Sequence, residues 1–125
     1  MRVAIVGSRR YPAMRRVEEY VAGLPSGATL VTGSASGVDA VVTAAARSRN
    51  LPVIRVPASF AEGKEPKLAA RRNQRLVDQA DVLVAFWDGS SPGTRATIDR
   101  ALAVGKEIHV FTPQTPRAPV ELSIE

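Results

Sequence analysis

Short runs of apolar residues punctuate the chain near 2–6, 28–32, 52–56, 81–86 and 107–111. Each is apolar through most of its length and does not alternate, the pattern of strands covered by helices on both faces. Between them lie segments with helical character near 12–23, 37–49, 67–79 and 94–104. Strand and helix therefore alternate, which predicts successive βαβ units and an α/β protein. Local residues set the boundaries. Pro12 suits a first helical turn, Pro25-Ser26-Gly27 breaks the chain before the second strand, and Asn50 with Pro52 closes the second helix. Thr94 is expected to cap the fourth helix and Gly105 to end it.

Right-handed crossovers make 3-2-1-4-5 the simplest strand order. The expected architecture is a Rossmann-like three-layer sandwich: a mainly parallel five-stranded sheet with helices on both faces. A single domain is expected over 1–111, with a polar loop at 57–66. Residues 112–125 carry Pro113, Pro116 and Pro119 and predict a Pro-rich C-terminal tail or strap over the surface. In this order strands one and four are neighbours where the strand order reverses, and ligands of such sheets bind there, beyond the carboxyl ends of the strands.

The residues at those ends suggest what binds. Gly7-Ser8-Arg9 follows the first strand and offers a tight turn, a hydroxyl and a guanidinium fork suited to phosphate or carboxylate. Thr32-Gly33-Ser34-Ala35-Ser36-Gly37-Val38-Asp39 follows the second. Its small residues leave backbone N–H groups open to an anion at a helix start. Asp39 can accept from sugar hydroxyls or stabilise the first helical turn. Asp88 stands at the exit of the fourth strand, and Gly93-Thr94 brings free amides to the next helix start. Arg72 and Asn73 sit on the third helix, where they can lean toward the same crevice. Trp87 can stack a base, but packing against the crevice wall is the better reading. His109, among apolar neighbours in the last strand, is read as structural.

Composition narrows the chemistry. The chain has 125 residues, 45% of them hydrophobic, with a net charge of +5, which favours anionic ligands. It has no cysteine and one histidine, so thiolate and multi-histidine metal centres are excluded. No metal or cofactor is called for. Nothing resembles a nucleophile–histidine–acid triad. The glycine loops lack the G-x-G-x-x-G spacing and the Lys-Ser/Thr of a P-loop. No run is long enough to cross a bilayer and no signal-peptide core follows Met1, so a cytoplasmic protein with no membrane partner is expected. The second helix is apolar nearly all round, so it is either deeply buried or shared with another subunit, and on the second ground a homodimer or higher homo-oligomer is expected.

Taken as a set, Gly7-Ser8-Arg9, the Thr32–Asp39 loop, Arg72-Asn73 and Gly93-Thr94 resemble the SLOG superfamily over about 1–111, most closely its small single-domain YspA-like members. That Rossmann-like group contains DNA-processing protein A and the lonely-guy phosphoribohydrolases. The resemblance implies a nucleotide or nucleotide-derived ligand held by Gly7, Ser8, Arg9, Gly33, Ser34, Gly37, Asp39, Arg72, Asn73, Asp88, Gly93 and Thr94. Two alternatives accompany it: a module for single-stranded nucleic acid resembling DNA-processing protein A, and a nucleoside 5′-monophosphate phosphoribohydrolase. The lonely-guy motif Pro-Gly-Gly-x-Gly-Thr-x-x-Glu ends in a catalytic glutamate, and here Thr97 stands in its place, leaving Asp88 and Asp99 as substitutes. The lonely-guy Arg-Lys pair is Arg72-Asn73 here.

Overall fold

The structure, a computed structural model, describes residues 1–8, 10–33, 37–56, 66–113 and 120–122. Strand and helix alternate as β1 (Arg2–Gly7), α1 (Met14–Ala22), β2 (Thr29–Thr32), α2 (Val38–Ser48), β3 (Val53–Arg55), α3 (Pro66–Asp78), β4 (Val82–Phe86), α4 (Pro92–Ala103), β5 (Glu107–Phe111) and β6 (Val120–Leu122). The sheet runs β3-β2-β1-β4-β5-β6. Its first five strands are parallel, in the order expected from the alternation.

Successive strand residues point to opposite faces, so each buried strand must supply two cores. In β1, Val3 and Ile5 join Val17 and Val21 of α1 and Val38, Val42 and Ala46 of α2. Ala4 and Val6 turn the other way, toward Leu76 and Val77 of α3 and Ile98 and Ala101 of α4. This two-sided burial is why the strand sequences lack polar alternation. The first core also holds Phe86 and Phe111, stacked with ring centroids 4.8 Å apart, and Tyr11 edge-on to Phe86 at 5.5 Å.

Three boundaries differ from expectation. Pro12 precedes α1, which starts at Met14 with Ala13 at the N-cap. Ser91, not Thr94, is the N-cap of α4, with Pro92 in the first turn and no side-chain cap. Proline has no N–H to satisfy and a φ already set for the helix, so the helix starts two residues sooner. Thr94 is thereby carried inside the first turn, where it is buried. The expected C-terminal tail contributes β6, antiparallel to β5 with His109 opposite Glu121. Three residues among prolines carry too little periodicity to announce a strand.

On α2, Val38, Val42, Thr43 and Ala46 are buried within the chain, while Ala40 and Ala44 are exposed. His109 is less enclosed than its neighbours imply: its Nε2 lies 2.9 Å from Glu107 Oε2, and its side chain is 22% exposed. Among the described residues, no helix is long and apolar enough to cross a membrane.

Candidate functional site

The strand order reverses between β1 and β4, whose residues pair from Val3 with Val82 to Gly7 with Phe86. Their exits are joined directly. Ser8 N–H donates to the Phe86 carbonyl at 3.0 Å, and Asp88 N–H donates to Ser8 Oγ at 3.1 Å. Ser8 is therefore a strut between the two loops, and it is almost fully buried. Asp88 organises the turn that follows. Its carboxylate accepts from the N–H groups of Ser90 at 2.9 Å and Ser91 at 2.8 Å, and from Ser91 Oγ at 2.8 Å. These backbone bonds, then the serine hydroxyls, hold its pKa down at about 2, so the group is a fixed anion at neutral pH.

The exit of β2 is built around a second carboxylate, and this one is buried. Thr32 Oγ1 lies 3.2 Å from both the Ile5 carbonyl and Asp39 Oδ1, and Thr43 Oγ1 donates to the Asp39 carbonyl at 2.9 Å. Gly37 starts α2 at φ 75°, a backbone setting that side-chain-bearing residues rarely adopt. Gly33 leaves room for two side-chain ends that lie over it. A Cβ there would run into Arg72 Nη1 and lie 2.8 Å from Asp39 Oδ2. A cation from α3 and an anion from α2 thus meet above a bare backbone.

Arg72 is itself aimed. Its Nε donates to Asn73 Oδ1 at 3.1 Å, and Asn73 Nδ2 donates to the Gly93 carbonyl at 3.4 Å. Thr97 Oγ1 donates to the same carbonyl at 3.1 Å. The Asn73 bond ties α3 to the first turn of α4. The Gly93 and Thr94 N–H groups have no intrahelical acceptor, as in any first helical turn, and carry the positive end of the helix dipole.

The result is one cleft of about 480 Å³. Gly7, Ser8, Asp39, Arg72, Asn73, Asp88, Gly93 and Thr94, all expected from the sequence, line it together. Gly33 and Gly37 do not: the first is roofed by Arg72 and Asp39, and the second sets the start of α2. Arg9 and Ser34 lie outside the described residues. The lining also includes Arg10, Ser91 and Thr97, with Val6, Leu76 and Pro92 as apolar wall. Arg10 was not singled out because nothing in an Arg-Arg doublet announces that its second guanidinium reaches the cleft.

The arrangement is better equipped to hold an anion than to move a proton. Arg10, Arg72 and the amides of α4 supply positive charge, and no histidine lines the cleft. Asp88 accepts four hydrogen bonds from Ser90 and Ser91 of its own loop. Asp99, the other substitute for the missing glutamate, is exposed and lies 3.8 Å from Arg95 on the outer side of α4. It does not line the cleft. Trp87 Nε1 donates to the Ser91 carbonyl at 3.1 Å and the ring packs on the α3–α4 core, as the packing reading expected.

A doubly wound parallel sheet with its cleft at the β1–β4 reversal defines a Rossmann-like domain, here of the SLOG superfamily. The model of one family, DNA recombination-mediator protein A, matches residues 1–104, and the chain belongs to that family. The fold is similar to DNA processing protein A (DprA) from Streptococcus pneumoniae, with a TM-score of 0.73 and 19% identity over 87% of this chain. This chain covers 49% of that one, about half its length. It is also similar to TM1055, a structural-genomics target, with a TM-score of 0.63 and 22% identity over 86% of this chain and 71% of that one. No curated protein matches the sequence.

Proposed function

We propose that this domain binds a nucleotide or nucleotide-derived phosphate ligand in the cleft between β1 and β4. The observation that carries the reading is that four segments far apart in sequence bring Ser8 and Arg10, Asp39, Arg72, and the first turn of α4 to one cavity. Phosphate oxygens would sit at the Gly93 and Thr94 amides and between Arg10 and Arg72, the setting in which helix N-termini and guanidinium forks bind anions. Asp39 faces the same space and suits a ribose hydroxyl. The cytoplasm, where nucleotides abound, is the location this role implies.

The test is calorimetry and thermal unfolding with a panel of nucleoside mono-, di- and triphosphates. Saturating ligand at about a hundred times Kd stabilises the fold by about 2.7 kcal/mol. Arg72→Ala weakens binding by about tenfold, the loss of one charge-assisted contact. Arg95→Ala, on the exposed side of α4, leaves it unchanged. No stabilisation by any nucleotide at millimolar concentration ends the proposal.

Membership of a family named for DNA recombination favours a second reading, a site for single-stranded DNA. The exposed Arg71 and Arg75 extend the positive surface of α3 beyond the cleft. Against an extended strand stands the shortage of stacking surface among the described residues: Tyr11, Phe86 and Phe111 are buried, Tyr20 packs edge-on to the two phenylalanines, and the Trp87 indole N–H is engaged. Oligonucleotide binding that falls steeply with salt, without a response to mononucleotides, selects this reading. A homodimer through the exposed Ala40–Ala44 side of α2 belongs to the proposal, and sedimentation of Ala44→Glu against the parent chain tests it.

A further inference from the structure

The cleft lies at the carboxyl ends of the strands, and a second cavity of about 390 Å³ lies at their amino ends. It arises from the winding of the fold. The helix contacts of β5 are chiefly with α4 on one face. On the other face α1 reaches β5 through Tyr20, whose ring meets Phe111 edge-on at 5.6 Å. Beside that contact the sheet surface is open. Val3, Leu24, Ala28 and Val82 form an apolar wall, and Tyr20, Glu107 and His109 line the same space. A concave apolar surface with a few converging polar groups is the usual form of a small-molecule site, and this volume falls in the usual range.

The polar groups specify the head of the ligand. Glu107 and His109 are two apart on β5 and so share a face, and His109 Nε2 lies 2.9 Å from Glu107 Oε2. The other carboxylate oxygen and the Tyr20 hydroxyl have no hydrogen-bond partner among the described residues. Burial, and secondarily the Glu107 charge, raise the Tyr20 phenol above its ordinary pKa, so it stays protonated and neutral. The Glu107 side chain is 55% exposed at the mouth of the cavity, so its second oxygen and the neutral Tyr20 hydroxyl stand where the apolar wall meets solvent, and both can accept from an ammonium group.

We propose that this cavity, opposite the cleft and independent of it, is a binding site for a small amphipathic amine, its ammonium held between Glu107 and Tyr20 and its apolar body against Val3, Leu24, Ala28 and Val82. The complementarity is of sign as well as shape. The cleft offers guanidinium groups and helix amides to an anion beside its own Asp39 and Asp88, whereas the acceptors here suit a cation.

The experiment is a two-dimensional amide NMR titration of the full chain with phenethylamine, alongside its neutral analogue 2-phenylethanol. Saturable shifts are expected at Val3, Tyr20, Ala28 and His109, with none at Gly93 or Thr94. The alcohol should bind about tenfold more weakly, and Glu107→Gln, which can still accept from His109, should weaken the amine by a similar factor. Tyr20→Phe keeps the ring contacts and should cost a few-fold. Thermal unfolding of each variant checks that the fold is retained. Shifts that do not saturate by about 10 mM, equal affinity for the alcohol, or an undiminished response in Glu107→Gln would each overturn the assignment.

Discussion

Gly7→Ala tests how closely α2 is seated on the exit of β1. A Cβ at position 7 would lie 2.5 Å from Val38 Cγ2, 2.7 Å from its Cβ and 2.8 Å from its Cγ1. Ordinary carbon contacts are about 3.5–4.0 Å, so the two elements must part by about 1 Å. Val38 has no room to yield. It is completely buried in the first turn of α2, and a β-branched side chain in a helix has one favoured rotamer. Overpacking of this kind costs about 1–3 kcal/mol. In a domain of this size that is a fall in Tm of roughly 3–15 °C. The assay is chemical denaturation of Gly7→Ala, Val38→Ala and the double variant. Because Val38→Ala removes two of the three clashing atoms, the double variant should be less destabilised than the sum of the singles by about 1 kcal/mol, a coupling that distant sites do not show. A neutral Gly7→Ala, or strict additivity, would falsify the close-approach argument.

Further outcomes follow from the cleft and its loops. Because the folded pKa of Asp88 is depressed from 3.8 to about 2, its contribution to stability is present above the ordinary value and is lost as pH falls through that window. Acid titration followed by circular dichroism should therefore show the parent chain losing stability relative to Asp88→Asn between about pH 4 and pH 2. Asn73→Ala removes the link between Arg72 and the Gly93 carbonyl. It should lower nucleotide affinity about three- to tenfold by calorimetry, with less than about 1 kcal/mol lost in denaturation, since the bonded atoms are solvent-accessible. AMP incubated with the protein should remain intact by chromatography, because the lonely-guy resemblance puts Thr97 where its glutamate would act and the Asp88 carboxylate is hydrogen-bonded within its loop. Release of adenine would show that the cleft holds a competent acid or base after all.

The sequence made the parallel strands legible because most of them are buried on both faces, β4 completely. Runs such as Val82-Leu-Val-Ala-Phe86 have no polar face to disguise them. The strand order followed from chain connectivity, and with it the meeting of Gly7, Asp88 and Thr94. What was not legible depended on tertiary placement. Ser8 was read for its hydroxyl, which the fold spends on joining two strand exits. Asp88 was read as a ligand or a substitute acid, and its serine neighbours turn it into a loop anchor. That Arg10 reaches the cleft could not be read without the direction of its turn. His109 was judged by its neighbours along the strand, although the residue that matters to it, Glu107, is two positions away.

The antiparallel β6 also bears on how the molecule keeps to itself. Without it, β5 would present a row of unpaired backbone donors and acceptors beside largely buried apolar side chains, a template that invites strands from other molecules. A chain cut after Pro113 would bare that row, and its first failure should be concentration-dependent clumping well before any loss of helix.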